Sequence, residues 1–352
     1  FFLREYFGER GEIVRMKSKK NTFVSRAAVG CVTTAIFLLL CIIKGIYPFG
    51  IATLDTVDFQ SQWIPAYYHV WDVLHGDGSA FFDWRVGGGN NFAGVSAQFS
   101  LFSPFNLFFL FVKRSWIEKS MIVFIIIKLL AMGYGMRWFL KEQILKEERY
   151  GIYILAGSVG YAVNGYTLLY YGMGWLDVAA ILPLLCYFFC RMAEREGDWR
   201  LGKNTLGYIV CLTLVFLINI PQAYMMCFFL IVFAGGYFFL NRQDQPLKKN
   251  SILKFGLTSL LSLGIAAVIF LPAARAMLGS YRLSGEEYRG ISGYFLLLRQ
   301  DGMDAVWKWV ILGSVAVPLL FFVISGRRKR EHIWQWYLVA AMVLPVFFEA
   351  VN

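Results

Sequence analysis

Residues 98–112 read QFSLFSPFNLFFLFV, and the fold turns on whether this stretch crosses a membrane. As a helix its 15 residues would reach about 22 Å, short of the about 30 Å of a hydrocarbon core. Pro104 sits inside it, where a proline kinks or starts a helix. Charge settles the matter. Long apolar runs recur from residue 27 onward, and basic residues fill the short segments between them. If 98–112 spanned, the basic clusters at 137–149, 191–203, 242–254 and 327–330 would all face outward, against the positive-inside rule. The segment therefore reads as interfacial or re-entrant, its backbone covered by protein.

Outward from that stretch, nine spans are expected, at roughly 27–47, 120–140, 152–171, 175–190, 205–220, 222–240, 255–277, 309–325 and 334–351. With the N-terminus in the cytoplasm, 23 of the 34 Lys and Arg residues fall on the inner side. The fold class is then all-α, a polytopic transmembrane helical bundle. Only 16% of residues are charged against 58% hydrophobic, which excludes an ordinary soluble domain. The net charge of +11 is dispersed over short loops rather than gathered on one face, which argues against a nucleic-acid partner. All six cysteines lie in apolar runs and read as small buried hydrophobes. The three histidines form no zinc spacing.

The expected organisation is a basic cytoplasmic segment at 1–26 followed by the membrane domain at 27–352, with a C-terminal part expected to be missing. The first outer loop, 48–119, is about 70 residues long, far more than a simple connector needs. Within it, Trp63, Tyr67, Trp71 and Leu74 share one helical face, with Pro65 placed for the first turn. Tyr and Trp favour the headgroup layer, so this helix is expected to lie flat on the outer surface. The glycines of RVGGGNNFAG (85–94) permit unusual backbone or close approach to a ligand.

Candidate chemistry gathers on that side. The stretch TLDTVDFQSQW (53–63) sets Asp55 and Asp58 just past the first span, followed by Gln60 and Gln62. A carboxylate there can meet both lipid and water-borne substrates, and a positioned base contributes about 10²–10⁴ in rate. On a helix the pair would share a face, and two nearby acids are also a starting point for a divalent-cation site. Asp177 opens the fourth span near the same depth, where a first-turn acid is favoured by the helix dipole. For an anionic leaving group, Arg85 in the first loop and Arg282 and Arg289 in the outer loop 279–306 offer planar guanidinium forks. Asn90 and Asn91 complete the candidates for substrate binding. Lys113, Arg114 and Lys119 read as headgroup anchors. Lys128 falls mid-span, where a charge usually faces a cavity or a partner.

The order YPFG, VDFQSQWIPAYY, FFDWRVGGGNNFAG, FSPFNLFFLF resembles the N-terminal part of the YfhO family of bacterial membrane proteins. GMGWLDVAAILPLL (172–185), INIPQAYMMCFFLIVF (218–233) and AAVIFLPAARAML (267–278) extend the likeness over about residues 45–280. The resemblance implies a GT-C-type glycosyltransferase. Such an enzyme takes a sugar from a polyprenyl-phosphate donor outside the cytoplasmic membrane and passes it to a cell-envelope acceptor, for this family a teichoic acid. It also implies an essential acid in the first outer loop, best matched by Asp58. The segment GGGNN departs from the family pattern, in which an acid often follows the glycines. Two other classes are weighed: a lipid-linked sugar flippase or transporter, and a non-catalytic envelope-assembly protein.

Overall fold

The computed structural model describes residues 26–54, 58–85, 89–91, 99–145, 151–195, 201–241 and 250–278. Helix α1 runs Arg26–Ile43. A single π turn, Phe59–Trp63, leads into α2, Ile64–Leu74, and Pro65 stands in its first turn, where no donor is needed. The hairpin β1 (Phe82–Asp83) and β2 (Asn90–Asn91) pairs antiparallel, with Phe82 opposite Asn91 and Asp83 opposite Asn90. Within the apolar stretch 98–112, Pro104–Phe111 folds as a 3₁₀ helix, with Pro104 at its start and the Ser103 hydroxyl accepting from the Phe105 N–H. At about 2 Å per residue it reaches about 16 Å, too short to cross a bilayer.

Next comes α3, Ile117–Phe139, extended by a 3₁₀ turn before it and a π turn after it into one rod, Arg114–Ile144. It is followed by α4 (Gly151–Ala162), α5 (Gly165–Leu169), α6 (Trp175–Arg195), α7 (Lys203–Ile218), α8 (Ile220–Asn241) and α9 (Ser251–Leu278). Among the described residues, five helices are long and apolar enough to cross a membrane: α1, the α3 rod, α6, α8 and α9. Helix α7, with 16 residues, is shorter.

The expected span 152–171 is not one continuous helix. The chain breaks there into α4 and α5, because the Asn164 side chain accepts from the Thr167 N–H at 2.9 Å and starts a new helix. Asn219 does the same between α7 and α8, accepting from the Gln222 N–H at 2.9 Å. Spans expected at 309–325 and 334–351 lie outside the described residues.

Helix α3 packs against α6 and α4, α6 against α7, and α7 against α9. Two apolar cores result. One joins the far ends of α3 and α6 to α7 and α8, around Phe189, Tyr208, Phe229 and Phe233. The other joins α1, the near ends of α3 and α6, and the first loop, around Phe59, Trp63, Tyr67, Phe109 and Phe124. The second core corrects the surface-helix expectation. The aromatic face of α2 does not lie against headgroups: Trp63 and Tyr67 are 3% and 1% exposed, inside the protein. An aromatic stripe serves either environment, and here Phe109 and Phe124 supply the partner, each 5.3 Å from the Tyr67 ring centre.

Candidate functional site

The first loop folds as a cap over one end of the bundle, and two polar clusters fix it there. The deeper one is centred on Lys128 and Asp177. Lys128 Nζ lies 2.6 Å from Asp177 Oδ1, with side-chain exposures of 0% and 1%. The oxygens meet the ammonium by charge more than by ideal hydrogen-bond alignment. Lys128 also reaches the Tyr67 hydroxyl at 3.4 Å and stands 4.2 Å over the Phe124 ring. Tyr67 in turn donates to the Gly172 carbonyl at 2.8 Å. Burial and the Asp177 charge push the Tyr67 phenol well above its ordinary range, so it stays a neutral donor. Sequence reasoning marked Lys128 as needing a partner and Asp177 as a candidate, and the structure brings the two together.

The second cluster is nearer the surface. Asp72 receives Arg114 Nε at 2.8 Å and Arg85 Nη1 at 3.4 Å. Asp83 receives Arg85 Nη2 at 2.8 Å and Nε at 3.1 Å, and His69 Nδ1 stands 3.7 Å away. These bonds hold the Asp83 carboxyl far below the usual carboxylate range and raise the Arg85 guanidinium. Arg85 also donates to the Asp77 carbonyl at 2.6 Å, so four of its five N–H groups are engaged. Arg114 uses two, both on Asp72, and keeps three; its side chain is 53% exposed. Sequence reasoning had assigned Arg114 to headgroups and missed this. The signal was an arginine beside the loop with an acid, Asp72, on the facing side of a predicted helix.

Asp58 immediately precedes the π turn and is exposed. Its backbone carbonyl, not its side chain, accepts from Gln62 and Trp63. No basic side chain among the described residues lies within ion-pair distance of its carboxylate. The next residue, Phe59, is fully buried against Tyr171 and Gly172, so Asp58 stands at the rim of the docked cap. Gln60 donates to the Leu54 carbonyl at 3.3 Å, and Gln62 is exposed. Asn90 and Asn91 form β2 beside Gly89, whose φ of +105° only glycine adopts readily. Asp55, Arg282 and Arg289 lie outside the described residues. Among the described residues, no three His, Cys, Asp or Glu side chains gather into a metal-binding group.

The bacterial membrane protein YfhO family model matches residues 30–352. No curated protein and no solved structure matches the chain. With apolar helices of membrane-crossing length and a family match over most of its sequence, the chain belongs to the YfhO family of bacterial membrane proteins.

Proposed function

We propose that this protein is a membrane glycosyltransferase, moving a sugar from a polyprenyl-phosphate donor to a cell-envelope acceptor such as teichoic acid, on the outer face of the cytoplasmic membrane. The observation that carries the reading is Asp58. Asp72, Asp83 and Asp177 are each matched to a cation, whereas Asp58, like Asp77, is exposed and without an ion-pair partner among the described residues, and of those two Asp58 is the one just past the first span. A base needs a carboxylate in that condition.

In this scheme Asp58 takes the proton of the acceptor hydroxyl, with Asp55 close by in sequence. The hydroxyl oxygen bonds to the anomeric carbon as the bond from that carbon to the phosphate oxygen breaks. The lipid phosphate leaves with the negative charge, which guanidinium groups neutralise. Arg85, Arg282 and Arg289 are the candidates from sequence; Arg85 has four of its five N–H groups engaged within the loop, and Arg114 is favoured over it through its three remaining donors. Gln60, Gln62, Asn90 and Asn91 are offered as hydrogen-bonding groups for the sugar, and a divalent cation on Asp55 and Asp58 is tested by chelation.

A lipid-linked sugar flippase is the second reading, and the buried Lys128–Asp177 pair favours it, since intramembrane charges mark transport routes. The test is purified protein with labelled polyprenyl-phosphate sugars and envelope polymers, with and without chelator. Asp58→Asn should insert normally and transfer at least about 10²-fold more slowly. Normal transfer by that variant overturns the assignment of the base. Translocation by the wild type without transfer overturns the enzyme reading.

A further inference from the structure

The Lys128–Asp177 pair joins three elements that are distant in sequence. Lys128 comes from the middle of α3, Asp177 from the first turn of α6, and the Tyr67 hydroxyl from α2. Each connection is buried. Tyr67 is the only one of the three that belongs to the first loop, and its hydroxyl makes two bonds at once: it accepts from Lys128 and donates to the Gly172 carbonyl. The ground under α2 is shaped to match. A Cβ on Gly172 would run into the Phe59 ring, and one on Gly174 would meet Ser100 and lie 2.8 Å from the Trp63 ring.

We propose that Tyr67, Lys128 and Asp177 form a buried latch that positions the first-loop helix on the bundle, and with it the carboxylate of Asp58 at the head of that helix. Lys128 and Asp177 are then positioning residues rather than groups that touch substrate. Desolvation makes the ion pair costly to separate, so its geometry is well defined. The Tyr67 hydroxyl passes that definition to α2. Only three residues separate Tyr67 from the turn Phe59–Trp63 that Asp58 immediately precedes, so a fixed Tyr67 leaves Asp58 little freedom. The importance of Asp58 rests on the function proposed above; the latch itself does not.

The two are tested by separate readouts on the full-length protein in detergent or nanodiscs. Backbone hydrogen exchange reads the latch. Tyr67→Phe removes one hydroxyl without adding volume or charge, and Lys128→Met/Asp177→Leu removes the pair without leaving an unmatched charge. In both variants exchange across 64–74 should rise about 10-fold or more, while α6 and α7 exchange as in the wild type. Unchanged exchange in 64–74 overturns the latch, as does a rise that is equal in all helices. Transfer activity is then measured on the same samples. With the latch loosened, kcat should fall about 10-fold with little change in KM for the donor, because a misplaced base costs rate rather than binding. Local loosening with full activity separates the latch from the catalytic reading and leaves Asp58 without the positioning role.

Discussion

Lys128 and Asp177 form a fully desolvated ion pair between α3 and α6, 2.6 Å from nitrogen to oxygen. Such a pair stabilises weakly as a unit but severely penalises the loss of either member. Lys128→Met alone is therefore expected to destabilise the protein by roughly 3–5 kcal/mol, since it strands a buried carboxylate. The double variant Lys128→Met/Asp177→Leu should recover most of that loss. Thermal unfolding of the three proteins in one detergent measures it, and a double variant no better than the single would refute the account.

Gly172 and Gly174 are expected to be intolerant of even one methyl group. The Phe59 ring that blocks Gly172 is fully buried and has no open direction in which to swing. Gly172→Ala should cost about 1–3 kcal/mol through forced displacement of the cap. Gly160→Ala is the control, because a Cβ there meets nothing within 4 Å. Equal stability of the two alanine variants would show that the cap is not seated as described.

How much of this was legible in the sequence depends on how local the signal is. Pro65 and Pro104 mark the starts of their helices by their own chemistry, and both do so in the structure. Lys128 announced a buried charge, but its partner lies on another helix, and a single sequence carries no information on which facing residue that is. Hydropathy also fails to tell a lipid-facing aromatic from one packed inside, so Trp63 and Tyr67 pointed to the headgroups and turned inward instead. The break at Asn164 is a related ambiguity. The run 152–171 is apolar enough for one long helix, and one capping side chain divides it into two. Asp58 was legible as a carboxylate just past the first span, yet its lack of an ion-pair partner among the described residues emerged only once the neighbouring acids had found their arginines.

Acidification should loosen the hairpin before the bundle. Arg85 holds the Asp83 carboxyl far below its ordinary range in the folded protein. A carboxyl whose folded pKa is depressed contributes stability that is fully present above its unfolded pKa of about 4. That contribution is lost as pH falls from there toward the folded pKa. Hydrogen exchange in segment 79–91, followed from neutral pH downward and corrected for intrinsic rates, should show the loss below about pH 4. In Asp83→Asn the same segment should open more readily at neutral pH and show a flatter response. Identical profiles in the two proteins would mean that the Asp83–Arg85 contact does not hold the hairpin.

Arg85 and Arg114 share Asp72 but should separate cleanly in function. Arg85 has committed four of its N–H groups to the loop, so Arg85→Gln is expected to weaken the cap and leave donor affinity nearly intact. Arg114 retains three donors on a half-exposed side chain, and a charge-assisted bond to phosphate is worth about 1.5–3 kcal/mol. Arg114→Gln should therefore raise KM for a polyprenyl-phosphate sugar about 10-fold or more, with a smaller effect on the unfolding midpoint than Arg85→Gln. Both variants strip one guanidinium from Asp72, which makes each the structural control for the other. If the KM effect instead follows Arg85, the phosphate sits on the hairpin side of Asp72. If neither variant moves KM, neither guanidinium meets a donor phosphate, and the charges around Asp72 serve only to hold the first loop together.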